Sequence, residues 1–244
     1  STLIRCASNE TFTVAGTVDA LADQNPDATI LAFNHGHYSM VAATPETLIQ
    51  VKGRHFETHA LAGTAARGSD TVQDDELASE LLQSPKDRQE HRMVVQAIVE
   101  GLHPLTQALV VDHQPRLKKL AQVQHLETRI VGELREDVDL MGVISTLHPT
   151  PALGGYPRGK ALSWLEETEN MDRGWYGGFL GWIDAQGAGA AHVAIRCALV
   201  GQEEAWAFTG AGIVEASNPE SEWNETEMKL GAIRNALRVR EISR

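Results

Sequence analysis

The chain has 244 residues, 42% hydrophobic and 22% charged, which supplies apolar material for a sizeable core and argues against disorder. Asp and Glu outnumber Lys and Arg by 33 to 21, a formal net charge of -12; such a field disfavours nucleic-acid and acidic-membrane partners while attracting divalent cations. No apolar run approaches the ~20 residues of a membrane span, Ser1–Glu10 lacks a signal-peptide core, and Cys6 and Cys197 sit far apart without metal spacing, so a cytoplasmic protein without a disulfide framework is expected.

In chain order, Thr29–Phe33 and Tyr38–Ala43 read as short strands flanking a turn at Asn34–His37. Thr47–Val51 and Arg54–Leu61 form a predicted hairpin around Lys52 and Gly53. The polar stretch 67–76 leads into a predicted helix, Asp75–Gln83, and a second helix covers Pro85–Leu102. A third helical stretch is predicted over Pro115–Gln122, then a strand at Val123–Val131 and a helix at Pro157–Glu169. Gly174–Ile183, Ala190–Val200 and Glu204–Thr209 read as a meander of strands, and Pro219–Arg240 as a long final helix. Strands come in groups separated by groups of helices, without repeats or long linkers. That order favours an α+β fold with a largely antiparallel sheet, in one domain over residues 1–244.

The final helix carries the first chemistry. Asn218 is a good N-cap and Pro219 a good first residue. Trp223, Leu230, Ile233 and Leu237 form one stripe, and Glu222, Glu225 and Lys229 fall within about 60° of each other beside it. Carboxylates so spaced can share one ligand; the plainer reading is an acid pair complementing the helix dipole and a surface salt bridge. On the helix from Pro85, Ser84 is the cap, Asp87 occupies the capping-box position, and Glu90 projects onto the edge of the apolar face of Val94, Ala97 and Ile98. Two helices thus aim acids inward, where each must be paired, protonated or metal-bound. A shared hard cation, magnesium rather than zinc, is one solution; a salt-bridge network is the other.

Two glycine turns, Ala60-Leu-Ala-Gly-Thr64 and Thr209-Gly-Ala-Gly-Ile213, bring backbone N–H groups within reach of an oxyanion. Neither matches a nucleotide fingerprint. Arg196 is the only charge in the apolar stretch Ala190–Val200 and needs an anionic partner, for which an acidic ligand is a candidate. His35 with His37, and His55 with His59, raise a rival zinc reading, but no spacing matches a known ligand pattern.

Nine motifs in order carry a resemblance. They are Ala43-Thr-Pro-Glu-Thr-Leu48, Ala60-Leu-Ala-Gly-Thr64, Lys86-Asp-Arg-Gln-Glu-His91, Val123-Gln-His-Leu126, Leu147-His-Pro-Thr-Pro-Ala-Leu-Gly-Gly155, Trp175-Tyr-Gly-Gly178, Ile195-Arg-Cys197, Thr209-Gly-Ala-Gly-Ile-Val214 and Glu222-Trp-Asn-Glu225-x-x-x-Lys229. Together the chain resembles the chorismate-utilising enzymes, the family of isochorismate synthase, salicylate synthase and the large subunit of anthranilate synthase. The Leu-Ala-Gly-Thr and Leu-His-Pro-Thr-Pro-Ala forms are most similar to isochorismate synthase.

The resemblance implies a layered sandwich of largely antiparallel sheet flanked by helices, like aminodeoxychorismate synthase, here without the family's N-terminal part. It implies a magnesium ion held by Glu90 and Glu225, with Glu222 and Asp87 at companion positions, and chorismate as the small-molecule substrate. Glu46 matches the general acid that assists departure of the 4-hydroxyl, and His125 an active-site position near the ring. Gly63, Thr64, Thr150, Tyr176, Arg196, Gly210, Gly212 and Lys229 match substrate-binding positions. The implied activity is conversion of chorismate to isochorismate, for menaquinone or siderophore synthesis. Salicylate synthase, which adds pyruvate elimination, is the alternative. A lysine that activates water in hydrating members would align just before Ser1, and no lysine occurs before Lys52. A catalytically silent fragment is therefore a third expectation, and a monomer or weak homodimer is expected because a shortened sheet exposes an edge.

Overall fold

The computed structural model describes residues 1–7 and 11–237. The chain opens with β1 (Thr2–Ala7) and α1 (Val14–Gln24), then β2 (Thr29–His35), β3 (Tyr38–Thr44), β4 (Thr47–Lys52) and β5 (His55–Ala66). Helices α2 (Thr71–Gln83) and α3 (Pro85–Leu102) precede β6 (Thr106–Val111), β7 (Arg116–Lys119) and β8 (Val123–Leu134). Three helices follow, α4 (Leu140–Leu147), α5 (Pro151–Gly154) and α6 (Arg158–Thr168). The last strands are β9 (Phe179–Ile183), β10 (Gly189–Val193), β11 (Cys197–Val200) and β12 (Glu204–Thr209), and α7 (Pro219–Leu237) closes the described chain.

Among the described residues the strands form two sheets. One runs β1-β12-β11-β3-β2; the other runs β6-β8-β5-β4-β10-β9, with β7 also on β8. All described pairs are antiparallel, so the α+β fold with antiparallel sheets flanked by helices is what the chain adopts. Helices α3 and α4 cover the second sheet, packing Val94, Ile98, Val143 and Ile144 against Ile49, Phe56 and Ile130. Helices α1 and α7 cover the first, packing Leu21, Leu230 and Ile233 against Ile4, Val41 and Ala198. Each such fully buried aliphatic side chain contributes about 1.5–3 kcal/mol. Strand alternation sends Met40 and Ala42 to the opposite face, onto Tyr176, Cys197 and Phe208.

Two strand pairs link the sheets and position the site. Strand β3 pairs β11 and β4 pairs β10, so β3–β4 and β10–β11 run side by side through both sheets. Each is interrupted at the same level. Pro45 has no N–H for a ladder and breaks the first before Glu46; a left-handed Arg196, φ 50°, breaks the second. The breaks face each other, with Val193 N donating to Glu46 O at 3.0 Å and Ala43 N to Arg196 O at 3.0 Å.

Several expectations are corrected. Pro115–Gln122 is not helical: 116–119 is strand β7, and Arg116 lies opposite Glu127 of β8, which accepts its Nε at 2.8 Å. The antiparallel ladder to residues 124–127 of β8 overrides the local helical reading. The stretch from Gly174 becomes a strand only at Phe179, because Gly174 and Gly177 take positive φ in a turn. Ala190–Val200 is two strands rather than one, and Arg196 is not an in-strand residue. Trp223 leaves the buried stripe of α7 and is 44% exposed, while Leu230, Ile233 and Leu237 are buried. The predicted residues 238–240 of that helix lie outside the described residues. Helices α1, α4 and α5 and strand β6 have no counterpart among the predicted elements.

Candidate active site

A cavity of about 1100 Å³ opens between the sheet breaks, α3, α6 and the start of α7. Of the residues singled out from sequence, Glu46, Gly63, Thr64, Glu90, His125, Tyr176, Arg196, Gly210, Gly212, Glu225 and Lys229 all line it. They come from eight separate stretches of chain. Thr150, Asp87 and Glu222 do not line it, and each is engaged behind the wall.

Thr150 is buried and donates to Glu46 Oε1 at 3.3 Å. Glu46 is thereby held on three sides, since its N–H donates to Thr44 Oγ1 at 3.2 Å and its carbonyl accepts from Val193. Burial pushes the Glu46 carboxyl up to about 7, with the Thr150 bond and the charges of Lys229 and Arg196 pulling the other way. A carboxylic acid that keeps its proton near neutrality can protonate a leaving oxygen.

On α3, Ser84 accepts from Asp87 N at 3.2 Å and donates to Asp87 Oδ2. That is local capping chemistry, and it places Glu90 one turn later on the cavity wall. Gly63 interrupts the register between β5 and β8 in a left-handed bulge, and a Cβ there would meet Asp87 Cβ at 3.1 Å. The glycine therefore sets how closely α3 approaches the sheet. On α7, Asn218 Oδ1 accepts from Glu220 N and Ser221 N, both at 3.1 Å. Glu222 in the first turn is buried and takes Lys86 Nζ at 2.5 Å, which ties α7 to α3.

Glu90 and Glu225 face the cavity from these two helices. Burial raises the Glu90 carboxyl to about 7, and the Glu225 charge adds to the rise. Lys229 Nζ donates to Glu225 Oε1 at 2.5 Å and to Gly210 O at 3.1 Å. Among the described residues no three His, Cys, Asp or Glu side chains gather into a ready metal cluster. The donor set is an oxygen pair under mutual repulsion in a poorly solvated wall, which fits a hard cation that completes its shell from ligand and water.

The anion side of the cavity is built around Arg196, buried enough that its guanidinium is pushed down to about 10. Its Nη2 lies 3.0 Å from His125 Nε2. Tyr176 stacks on Phe208 with ring centroids 5.5 Å apart, and its hydroxyl abuts Gly210, where a Cβ would come within 2.8 Å. The rival zinc histidines do not enter: His35 lies edge-on to Trp175, and His59 pairs with Glu57 at 3.3 Å.

Sequence reading missed Trp164, Leu165 and Ala161 of α6, which line the cavity although α6 has no buried residue. Their i, i+3, i+4 spacing was the available signal. Arg173 was also missed; it lines the cavity, donates to Leu153 O at 2.9 Å and pairs with Glu169 at 2.5 Å.

Residues 1–238 match the family model described as Chorismate binding enzyme. The salicylate biosynthesis isochorismate synthase of Pseudomonas aeruginosa is 44% identical over 220 residues, 90% of this chain and 46% of that protein. Isochorismate synthase MenF of Bacillus subtilis is 40% identical over 217 residues, 89% of this chain and 46% of that protein. A crystal structure assigned to the 2,3-dihydroxybenzoate-specific isochorismate synthase DhbC of Bacillus anthracis superposes with a TM-score of 0.91 at 32% identity, covering 97% of this chain and 67% of that one. The chain spans about half the length of the curated relatives it matches.

Proposed function

The chain belongs to the chorismate-binding enzyme family, and from that premise we propose that it carries the site converting chorismate to isochorismate. Water adds at C2, the 4-hydroxyl leaves, and the ring double bonds shift; no net atom is gained or lost. The observation that carries this reading is the pairing of Glu46, a buried acid with its carboxyl raised to about 7, with Arg196 and Lys229 on the same cavity. An acid that holds its proton is what a departing hydroxyl requires, and the two cations suit a dianionic substrate.

Glu46 gives its proton to the 4-hydroxyl, which departs as water. Arg196, Lys229, Tyr176 and the backbone at Gly210 and Gly212 bind and orient the carboxylates. Glu90 and Glu225 would hold a magnesium ion, whose charge, when bound, offsets that of the ring carboxylate. Asp87 and Glu222 act through the helices: one holds the Ser84 cap of α3 and the other ties α7 to α3, so both set where the cavity-facing carboxylates stand. In the family pattern the proton of the attacking water goes to a lysine aligned immediately before Ser1. Ser1, Thr2 and Leu3 line the cavity.

The test is incubation with chorismate and magnesium followed by chromatography. Isochorismate is expected. Salicylate with pyruvate would move the assignment to salicylate synthase, and unchanged chorismate with calorimetric binding retained would reduce the chain to a ligand-binding role.

A further inference from the structure

We propose that His125 is a positioning residue for Arg196, aiming its guanidinium at the substrate through a fixed neutral imidazole, and takes no part in proton transfer; the substrate half of this rests on the function proposed above. The geometry of both ring nitrogens carries it. Arg196 Nη2, 3.0 Å from Nε2, is a donor with no lone pair to offer, so Nε2 must present its own. On the far side Nδ1 lies 3.2 Å from Gly63 O, an acceptor only, and 3.1 Å from Thr64 Oγ1, so Nδ1 must carry the hydrogen. One tautomer of the uncharged ring satisfies both ends.

An imidazolium would instead set an N–H against the guanidinium in a buried site. Burial, then the charges of Arg196 and Lys229, hold His125 well below the usual histidine range, Gly63 O pulls weakly the other way, and Lys118 adds to the depression. The ring thus has neither a proton to give nor a free lone pair to receive one: Nδ1 is committed to the β5 bulge and Nε2 to Arg196. The bulge explains the aim. Gly63 interrupts the register where Thr64 lies opposite His125, and its left-handed backbone, φ 75°, turns its carbonyl onto Nδ1. The relay runs from a strand irregularity through the imidazole to a guanidinium on the opposite strand break.

Imidazole nitrogen NMR on the ligand-free chain tests the relay without turnover, with the His125 signal assigned by its loss in His125→Gln. A neutral Nδ1–H tautomer is expected from about pH 5.5 to 8.5; an imidazolium or an Nε2–H ring would overturn the proposal. In turnover assays His125→Gln, whose side-chain oxygen can accept from Arg196, should keep KM for chorismate within about threefold, while His125→Leu should raise it roughly tenfold or more. Neither should alter the pH profile of kcat. A fall in kcat of about a hundredfold in both variants with KM unmoved would overturn the positioning role. If chorismate is not a substrate, the NMR result still decides the relay by itself.

Discussion

Glu90 Oε1 lies 2.9 Å from the point that a Cβ on Gly212 would occupy, so the carboxylate stands where only a glycine at 212 leaves it room. A turn from β12 and an acid from α3 are thereby fitted to one another. Gly212→Ala should push Glu90 aside and weaken magnesium-dependent chorismate binding by roughly tenfold, with little change in thermal midpoint. Calorimetry on the variant checks this; unchanged affinity would mean that Glu90 does not act from its present position.

Glu46 is the acid of the proposed reaction, and its carboxyl is raised to about 7. The protonated form is the active one, so turnover should fall as pH rises through about 7. Glu46→Gln should leave chorismate binding within a few-fold while lowering kcat by roughly 10²–10⁴. A variant retaining parental kcat would remove Glu46 from the chemistry.

Glu90 is raised to the same region, but here the ionised form is the useful one. Magnesium affinity should therefore increase as pH rises through about 7, opposing the Glu46 limb and giving a bell-shaped rate profile. Magnesium at about 100 times its Kd should stabilise the fold by about 2.7 kcal/mol. Glu225→Gln should abolish that gain while leaving the metal-free melting point nearly unchanged. Thermal melts with and without magnesium, across pH, measure both effects.

Arg196 holds a left-handed backbone, φ 50°, that ordinary side chains resist. Comparing two truncations isolates that strain. Arg196→Gly should be more stable than Arg196→Ala by about 1 kcal/mol, since only glycine takes the conformation without cost. Both should lose chorismate binding. Denaturant melts that rank alanine equal to glycine would show that the break at 196 is not strained.

Legibility from the sequence followed the distance over which each interaction acts. The start of α3 was readable because Ser84 and Asp87 satisfy each other within one turn, and the start of α7 because Asn218 caps it locally. Glu46 had no such signal; an acid after Pro45 is ordinary at a turn, and its identification rested on resemblance. Strand β7 was misread because its partner Glu127 and the β8 ladder supply what its own residues do not.

What the sequence by itself determined was the α+β class, the local caps and turns, and a set of acids, glycines and one arginine with anion and cation chemistry. Those features depend on neighbours a few residues away, where spacing and side-chain type leave few alternatives. Only the tertiary structure decided which acids face the cavity and which brace its walls: Glu90 and Glu225 line it, whereas Asp87 is spent on Ser84 and Glu222 on Lys86, 136 residues away. It likewise decided that His125 meets Arg196 across 71 residues of sequence. A side chain's charge state and partner depend on the burial and the opposing groups that packing brings to it, and neither exists until the two sheets and their helices close.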